Sequence, residues 1–272
     1  MSKHNYDNGI HTISNEYYHG SQGISRSALM RFKQSPKHYW YEYLSGLKEH
    51  SKSTPAMLLG EITHLLTLEP ELFSKNYAVS PKFRKNTKVG KSDHAAFEAD
   101  NYNKIIVDEE IYALAKGMSD AVKENELSNE LIKYAACEKS IYFTHHETGL
   151  QCKVRPDAWN GSLVIDLKTT ANACYRDFQN SAFKYGYFLQ AGMIYEALKS
   201  IGQKMEKFVF IVVEKEAPYA LGIYTLDDEA IDYGIKQFDT LMNELSMCLK
   251  INKFGDYGIQ TLSVPGYARF DE

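Results

Sequence analysis

The sequence predicts an α/β protein in which a central mixed β-sheet is flanked by helices, behind a mainly helical amino-terminal part. Three observations carry this. The first half reads as helices separated by proline and polar breaks. Glu138 to Thr170 alternates apolar and polar side chains between turn signals, and the remainder returns to helices with two further strands.

Ser25 is placed to cap a helix from about Arg26 towards Phe32, and Ser35-Pro36 interrupts it ahead of a second helix bearing Tyr39, Trp40 and Tyr43. Met57 to Leu68 forms a third, ended by Glu69-Pro70, and Asp93 to Asn101 and Glu109 to Lys123 follow. Beyond the sheet segment, a helix pair spans Tyr175 to Leu198. Strands are expected at Phe208 to Val213 and Leu221 to Tyr224, and Asp228 to Leu249 has the period of a long amphipathic helix.

At 272 residues and 44% hydrophobic content the chain can bury a full core, and with no repeat or low-complexity tract to mark a boundary, one domain over residues 1–272 is expected. No apolar run approaches the roughly 20 residues that cross a bilayer, and Met1 to Gly9 is too polar for a secretory signal, so a cytoplasmic protein without a membrane partner is expected. The four cysteines are scattered without a CxxC pair, which argues against a zinc knuckle or a disulfide framework. A net charge of −4 excludes coating of nucleic acid by bulk electrostatics; any DNA contact must be local.

Asn160-Gly161 separates two alternating runs, Cys152 to Trp159 and Ser162 to Lys168, and is the dipeptide favoured by a two-residue hairpin turn. With those two residues as the loop, Trp159 faces Ser162 and Asp157 faces Val164. Arg155, Asp157, Asp166 and Lys168 then share one face, while Leu163, Ile165 and Leu167 point into the opposite layer. Asp157 and Asp166 become diagonal neighbours with β-carbons roughly 7 Å apart, close enough to reach one cation.

Two such carboxylates repel, and Asp166 lies in an apolar strand where an unpaired charge is costly. Arg155 and Lys168 alone would make a structural ion-pair cluster. The alternative is chemistry, because Pro156-Asp157, eight intervening residues and Asp166-Leu167-Lys168 make up the PD-(D/E)xK pattern. Its hard oxygen ligands hold Mg²⁺, which polarises a phosphate and lowers the pKa of a bound water, and the lysine orients that water or offsets charge on the phosphate.

Several further segments resemble the RecE, or exonuclease VIII, nucleases of the RecB-like branch of this superfamily. They are Ile13 to His19, Ser25 to Leu29, Ser35-Pro36, Leu59 to His64, Leu68 to Glu71, Gly149 to Asp157, Asp166 to Thr170 and Thr261 to Pro265. The resemblance implies a restriction-endonuclease-like core and an exodeoxyribonuclease that resects linear double-stranded DNA 5′ to 3′, leaving 3′ single-stranded tails in phage-type recombination. It further implies double-stranded DNA ends and a single-strand annealing protein as partners, and a ring-shaped homo-oligomer, trimer or tetramer. Mg²⁺ is the implied cofactor, with Mn²⁺ able to substitute. No iron-sulfur cluster is expected, since that requires closely spaced cysteines near the carboxyl end. Two rivals are a RecB-like nuclease of other polarity or endonucleolytic action, and a non-catalytic DNA-end-binding protein.

The same resemblance marks individual residues. His64, by itself a surface or capped histidine on its helix, is implied as a metal ligand beside Asp157, Asp166 and the Leu167 backbone carbonyl. Glu138, otherwise an exposed edge carboxylate, matches the glutamate that precedes the paired aspartates, able to steady Lys168 or a metal-bound water. Gln190 matches a glutamine-tyrosine helix motif, although the family's tyrosine position is Ile194 here and Tyr195 lies about 140° round the helix. Lys82, Arg84, Lys85, Lys88 and Lys91 form a basic run that is either a solvated loop or, with Arg155, a set of DNA contacts.

Overall fold

The computed structural model describes residues 4–47, 54–84 and 86–264; Met1, Lys85 and Pro265 lie outside them. A short strand β1 (Gly9–His11) and helix α1 (Asn15–Gly20) lead into α2 (Arg26–Gln34), where the Ser25 hydroxyl accepts from the Ala28 N–H as an N-cap. Helix α3 (Pro36–Tyr39) continues as a wider π-type turn over Trp40–Leu44. Helix α4 (Pro55–Leu68) stops at Glu69 before Pro70, which opens α5 (Pro70–Asn76).

Strand β2 (Tyr77–Ser80), helix α6 (Lys88–Asp100) and strand β3 (Ile105–Asp108) form a small parallel β-α-β unit that the sequence did not suggest. Helix α6 starts five residues before the expected Asp93 because the Thr87 hydroxyl caps the Gly90 N–H. Helices α7 (Glu109–Glu124) and α8 (Glu126–Ile132) follow.

The second half is β4 (Ala136–Cys137), β5 (Ser140–Thr144), β6 (Gln151–Val154), β7 (Ala158–Asn160), β8 (Leu163–Thr170), α9 (Tyr175–Lys184), α10 (Tyr187–Ser200), β9 (Lys207–Glu214), β10 (Leu221–Thr225) and α11 (Asp228–Ile251). The central sheet has the order β10-β9-β8-β7-β4 and is mixed: β8 and β9 run parallel across the α9–α10 crossover, and its other pairs are antiparallel. A second sheet, β1-β5-β6, is antiparallel.

Both faces of the central sheet are covered, which is why β9 reads as a continuous apolar run. Val164, Phe208, Phe210 and Val212 pack with the helices that follow β8, among them Leu189 and Phe238. Ile165, Leu167, Ile211 and Val213 pack on the other side with Leu59, Ile62, Met118 and Val122 of α4 and α7. This is a restriction-endonuclease-like core. Helices α10 and α11 approach closely where neither has a side chain: a β-carbon on Gly234 would lie 2.0 Å from the Phe188 carbonyl oxygen, and one on Gly192 2.3 Å from the Gly234 carbonyl carbon.

The hairpin departs from expectation twice. Cys152 to Trp159 is not one strand: it breaks at Arg155-Pro156-Asp157, so that β6 pairs with β5 while β7 pairs with β8. Pro156 has no N–H to offer a ladder, and the chain passes there from one sheet to the other. The register also slips. Trp159 faces Val164 rather than Ser162, Asn160 faces Leu163, and the turn is Gly161-Ser162, with Gly161 at φ +60°. The Trp159 indole N–H donates to the Gly161 carbonyl at 2.5 Å, and the Ser162 carbonyl accepts from the Glu206 and Lys207 N–H groups at 2.8 and 3.3 Å, which ties the turn to β9. A two-residue slip keeps every side chain on its face. The ladder ends at Ala158 and Ile165, and the same register continued one step would bring Asp157 level with Asp166 instead of diagonal to it.

Candidate active site

Strand β8 delivers Asp166 and Lys168 to the face covered by α10, and Asp166 is wholly buried. Gln190, one turn into α10, donates its Nε2–H to Asp166 Oδ1 at 2.5 Å and takes Lys168 Nζ on its Oε1 at 3.3 Å. Lys168 pairs with Asp166 Oδ2 by charge, and among the described residues no aligned hydrogen bond reaches that oxygen. Burial pushes the Asp166 carboxyl above its ordinary range, with the lysine opposing it. Burial acts against the Lys168 ammonium, yet the Asp166 and Asp157 carboxylates outweigh it and hold that group above its ordinary value, so it stays charged.

Asp157 sits at the sheet-to-sheet joint, where its Oδ2 accepts the Leu167 N–H at 2.7 Å and lies 3.4 Å from His64 Nδ1 of α4. Glu138 arrives between β4 and β5 with a left-handed backbone, φ +50°, and its N–H donates to the Asp157 carbonyl at 3.1 Å. A non-glycine residue in that region carries strain of about 1–3 kcal/mol, of the kind that accumulates at functional sites. Burial, and then the neighbouring Asp157, push the Glu138 carboxyl up to about 8.

His64, Glu138 and Asp157 each offer a ligand atom, all within 4.8 Å of one another. Asp166 feels the charges of both Asp157 and His64, and its buried Oδ2 has the Lys168 ammonium against it. Carboxylate oxygens with one imidazole suit a divalent cation, so the residues present fit the metal that the sequence implies. The Leu167 peptide belongs to the site through its N–H on Asp157.

Arg155 is a correction. Its side chain is only 7% exposed and turns inward, donating Nε and Nη2 to Ser140 Oγ and Nη2 to the Ile13 carbonyl at 3.0 Å. It lies 3.9 Å from Glu138 and 4.3 Å from the Tyr18 ring centre, so it steadies the joint instead of facing DNA. The basic run is split: exposed Lys82 pairs with Glu110 at 2.9 Å, Arg84 is exposed on the connection, and Lys88 and Lys91 are exposed on the first turn of α6. Lys85 lies outside the described residues. None of these lines the two clefts that adjoin Arg155.

Sequence reasoning missed Tyr187. Its ring centre lies 4.7 Å from Lys168 Nζ and 5.9 Å from the Arg26 guanidinium, so it supports the lysine from below and joins it to α2. The signal was present, since Tyr187 precedes Gln190 by three residues and shares its helix face. Tyr195 instead meets Lys199.

A mixed sheet with an aspartate at a proline joint, an aspartate and lysine two apart on the next strand, and helices on both faces defines a PD-(D/E)xK-type domain. The chain belongs to the family described as PDDEXK-like domain of unknown function (DUF3799), whose model matches residues 25–259. Among solved structures it is similar to one from Eubacterium rectale named "putative exonuclease", with 16% identity, a TM-score of 0.61, and coverage of 94% of this chain and 96% of that one. A phage-related exonuclease from Haemophilus somnus 129PT matches at 14% identity and a TM-score of 0.32, over 70% of this chain and 94% of that one. No curated protein matches.

Proposed function

We propose that this protein is a Mg²⁺-dependent exodeoxyribonuclease acting on the ends of linear double-stranded DNA. One observation carries the hydrolytic part: Asp166, Lys168 and Gln190 form a closed hydrogen-bonded and ionic set directly beside the His64, Glu138 and Asp157 ligand cluster. A cation bound there supplies Lewis acidity at the scissile phosphate and makes a nucleophile of water at neutral pH.

The chain's own residues do the rest. His64, Glu138, Asp157 and Asp166 would hold the cation, and the Leu167 N–H and Gln190 amide fix the angles of the two aspartates. The Lys168 ammonium has three N–H groups. Gln190 engages one and Asp166 holds the ammonium by charge, which leaves an N–H to offer to the attacking water or to the charge that develops on the phosphate. Burial and the adjacent Asp157 favour the protonated Glu138 carboxyl near neutral pH, and a cation held there would favour the carboxylate.

End-directed action rests on the likeness to RecE-type enzymes and on the exonuclease name carried by the E. rectale structure. The same likeness supports 5′-to-3′ resection leaving 3′ tails, a single-strand annealing partner, a ring-shaped oligomer, Mn²⁺ as substitute metal and work in the cytoplasm during phage-type recombination. Arg84, Lys88 and Lys91 are the exposed cations that suit the DNA backbone. End-labelled linear duplex and covalently closed circles, each incubated with Mg²⁺ and with chelator, test the proposal. Digestion of linear DNA alone, abolished by chelator, is expected. Cutting of circles would replace the exonuclease by an endonuclease, and end binding without release of nucleotides would leave a DNA-end-binding protein.

A further inference from the structure

The β5–β6 turn carries adjacent histidines, His145 and His146, which face Asp239 of α11. The His145 ring is 1% exposed, its Nε2 lies 3.1 Å from Asp239 Oδ1, and Phe238 packs edge-on against it with ring centres 5.0 Å apart. The His146 ring lies tilted against His145 with centres 5.1 Å apart, and the three side chains each present a ligand atom within 4.8 Å of the others. A His145–Asp239 hydrogen bond by itself accounts for the burial of that pair. It does not account for the second, exposed imidazole whose ring nitrogen comes within 4.8 Å of the same pair.

We propose that His145, His146 and Asp239 form a second metal site, selective for a zinc-class transition ion and separate from the nuclease centre. The donor set decides the class, because two imidazoles and one carboxylate suit zinc, cobalt or nickel, whereas Mg²⁺ takes oxygen ligands. The spacing agrees: bonds of about 2.0–2.1 Å to a tetrahedral ion put its ligands about 3.3 Å apart, close to the Nε2 to Oδ1 distance already in place.

The support around His145 suits the exchange. Its Nδ1 lies 2.9 Å from the Thr148 hydroxyl, which can accept as well as donate. When an ion replaces the proton between Nε2 and Asp239, the imidazole proton resides on Nδ1 and donates to that hydroxyl, the usual outer support of a metal-bound histidine. The exchange gives up the longer contact, 3.3 Å, from the Thr148 N–H. Glu147, held by Asn243 at 2.5 Å and 3.6 Å from His146 Nε2, borders the cluster without joining it, so a water would fill the remaining coordination position.

Glu138 lies just before β5 and His145 just after it, so the two centres are roughly 20 Å apart along the strand. Bound metal would therefore join the β5–β6 turn to α11, the helix packed on α10, without entering the hydrolytic chemistry.

Cobalt titration of the protein in saturating Mg²⁺ tests this, followed by the visible absorption of tetrahedral Co²⁺ and by equivalents bound at equilibrium dialysis. Wild type is expected to bind one more equivalent than either His146→Ala or Asp239→Asn, with the visible band lost in both, while nuclease activity in Mg²⁺ stays unchanged. His146 is exposed, so its removal does not threaten the fold. Equal stoichiometry and spectra in wild type and His146→Ala would overturn the site, whatever the nuclease assay shows.

Discussion

Gln190 holds Asp166 by a 2.5 Å hydrogen bond from its amide, from a helix that begins 21 residues after the aspartate. The buried carboxylate thus has its orientation set across the crossover, and the amide oxygen turned to Lys168 coordinates the two strand residues with each other. Gln190→Leu should lower kcat or metal affinity about 10- to 100-fold, the usual effect of losing the outer support of a ligand. Nucleotide release and calorimetric Mg²⁺ titration measure it, and wild-type values in both would leave Lys168 alone as the support. Gln190→Glu should be worse, since it sets a third carboxylate beside Asp166.

Lys168→Ala should abolish hydrolysis and keep DNA binding. The structure adds a cost that the sequence concealed: Lys168 is the cation paired with a fully buried Asp166. Removing one partner of such a pair typically costs about 3–5 kcal/mol, reduced here because Asp166 can take up a proton. Thermal midpoints in chelator should fall, and Mg²⁺ should restore much of the loss. Near-normal turnover would remove Lys168 from the chemistry.

Glu138 links the site to pH. Its folded value of about 8 stands above the ordinary 4.5, so the contribution it makes to apo stability is full below pH 4.5 and is lost as pH rises through about 8. The melting midpoint in chelator should therefore decline over that window, and Glu138→Gln should flatten the decline. Cation binding near pH 7 should release close to one proton, read from calorimetry in buffers of different ionisation heat. Identical heats in such buffers would show that Glu138 is not displaced.

Gly234→Ala should part α10 from α11, because the added methyl would meet the Phe188 carbonyl at 2.0 Å. Backbone has to move, which typically costs about 1–3 kcal/mol. Activity should fall with stability since Gln190 rides on the same helix. Denaturant midpoints and kcat measured together check the coupling, and a stability loss with unchanged kcat would separate them.

Lys88 and Lys91 stand exposed on the first turn of α6. If each touches a phosphate, the double change to Ala should weaken binding evenly across sequences and reduce the salt slope by about 1 per contact. An unchanged slope in fluorescence anisotropy would place the DNA elsewhere.

Much of the site was legible because alternation along β8 puts Asp166 and Lys168 on one face whatever the register, and a slip of two residues cannot alter that. The turn itself was misplaced. Asn160-Gly161 has the right local chemistry, but the Ser162 carbonyl is claimed by β9, a partner more than forty residues away that no local window contains. Helices α2, α4, α7 and α11 were readable from caps and long apolar periods. Strands β2 and β3 were not, being four residues each and stabilised by pairing with one another. Arg155 was misjudged for a similar reason: charge in a sequence suggests solvent, while its partners, the Ile13 carbonyl and Ser140, are distant in the chain or silent as a motif.

The Pro156 joint leaves Asp157 outside any ladder, so beyond its own bonds to the Glu138 and Leu167 N–H groups its place depends on what grips the residues beside it. Arg155 does the gripping, by fastening to the Ile13 and Ser14 carbonyls ahead of α1. The opening residues thus behave as a strap buckled against the Glu138 and Asp157 carboxylates. Proteolytic trimming past Ser14 would strip two acceptors from a buried guanidinium and disturb the carboxylates without having touched any of them.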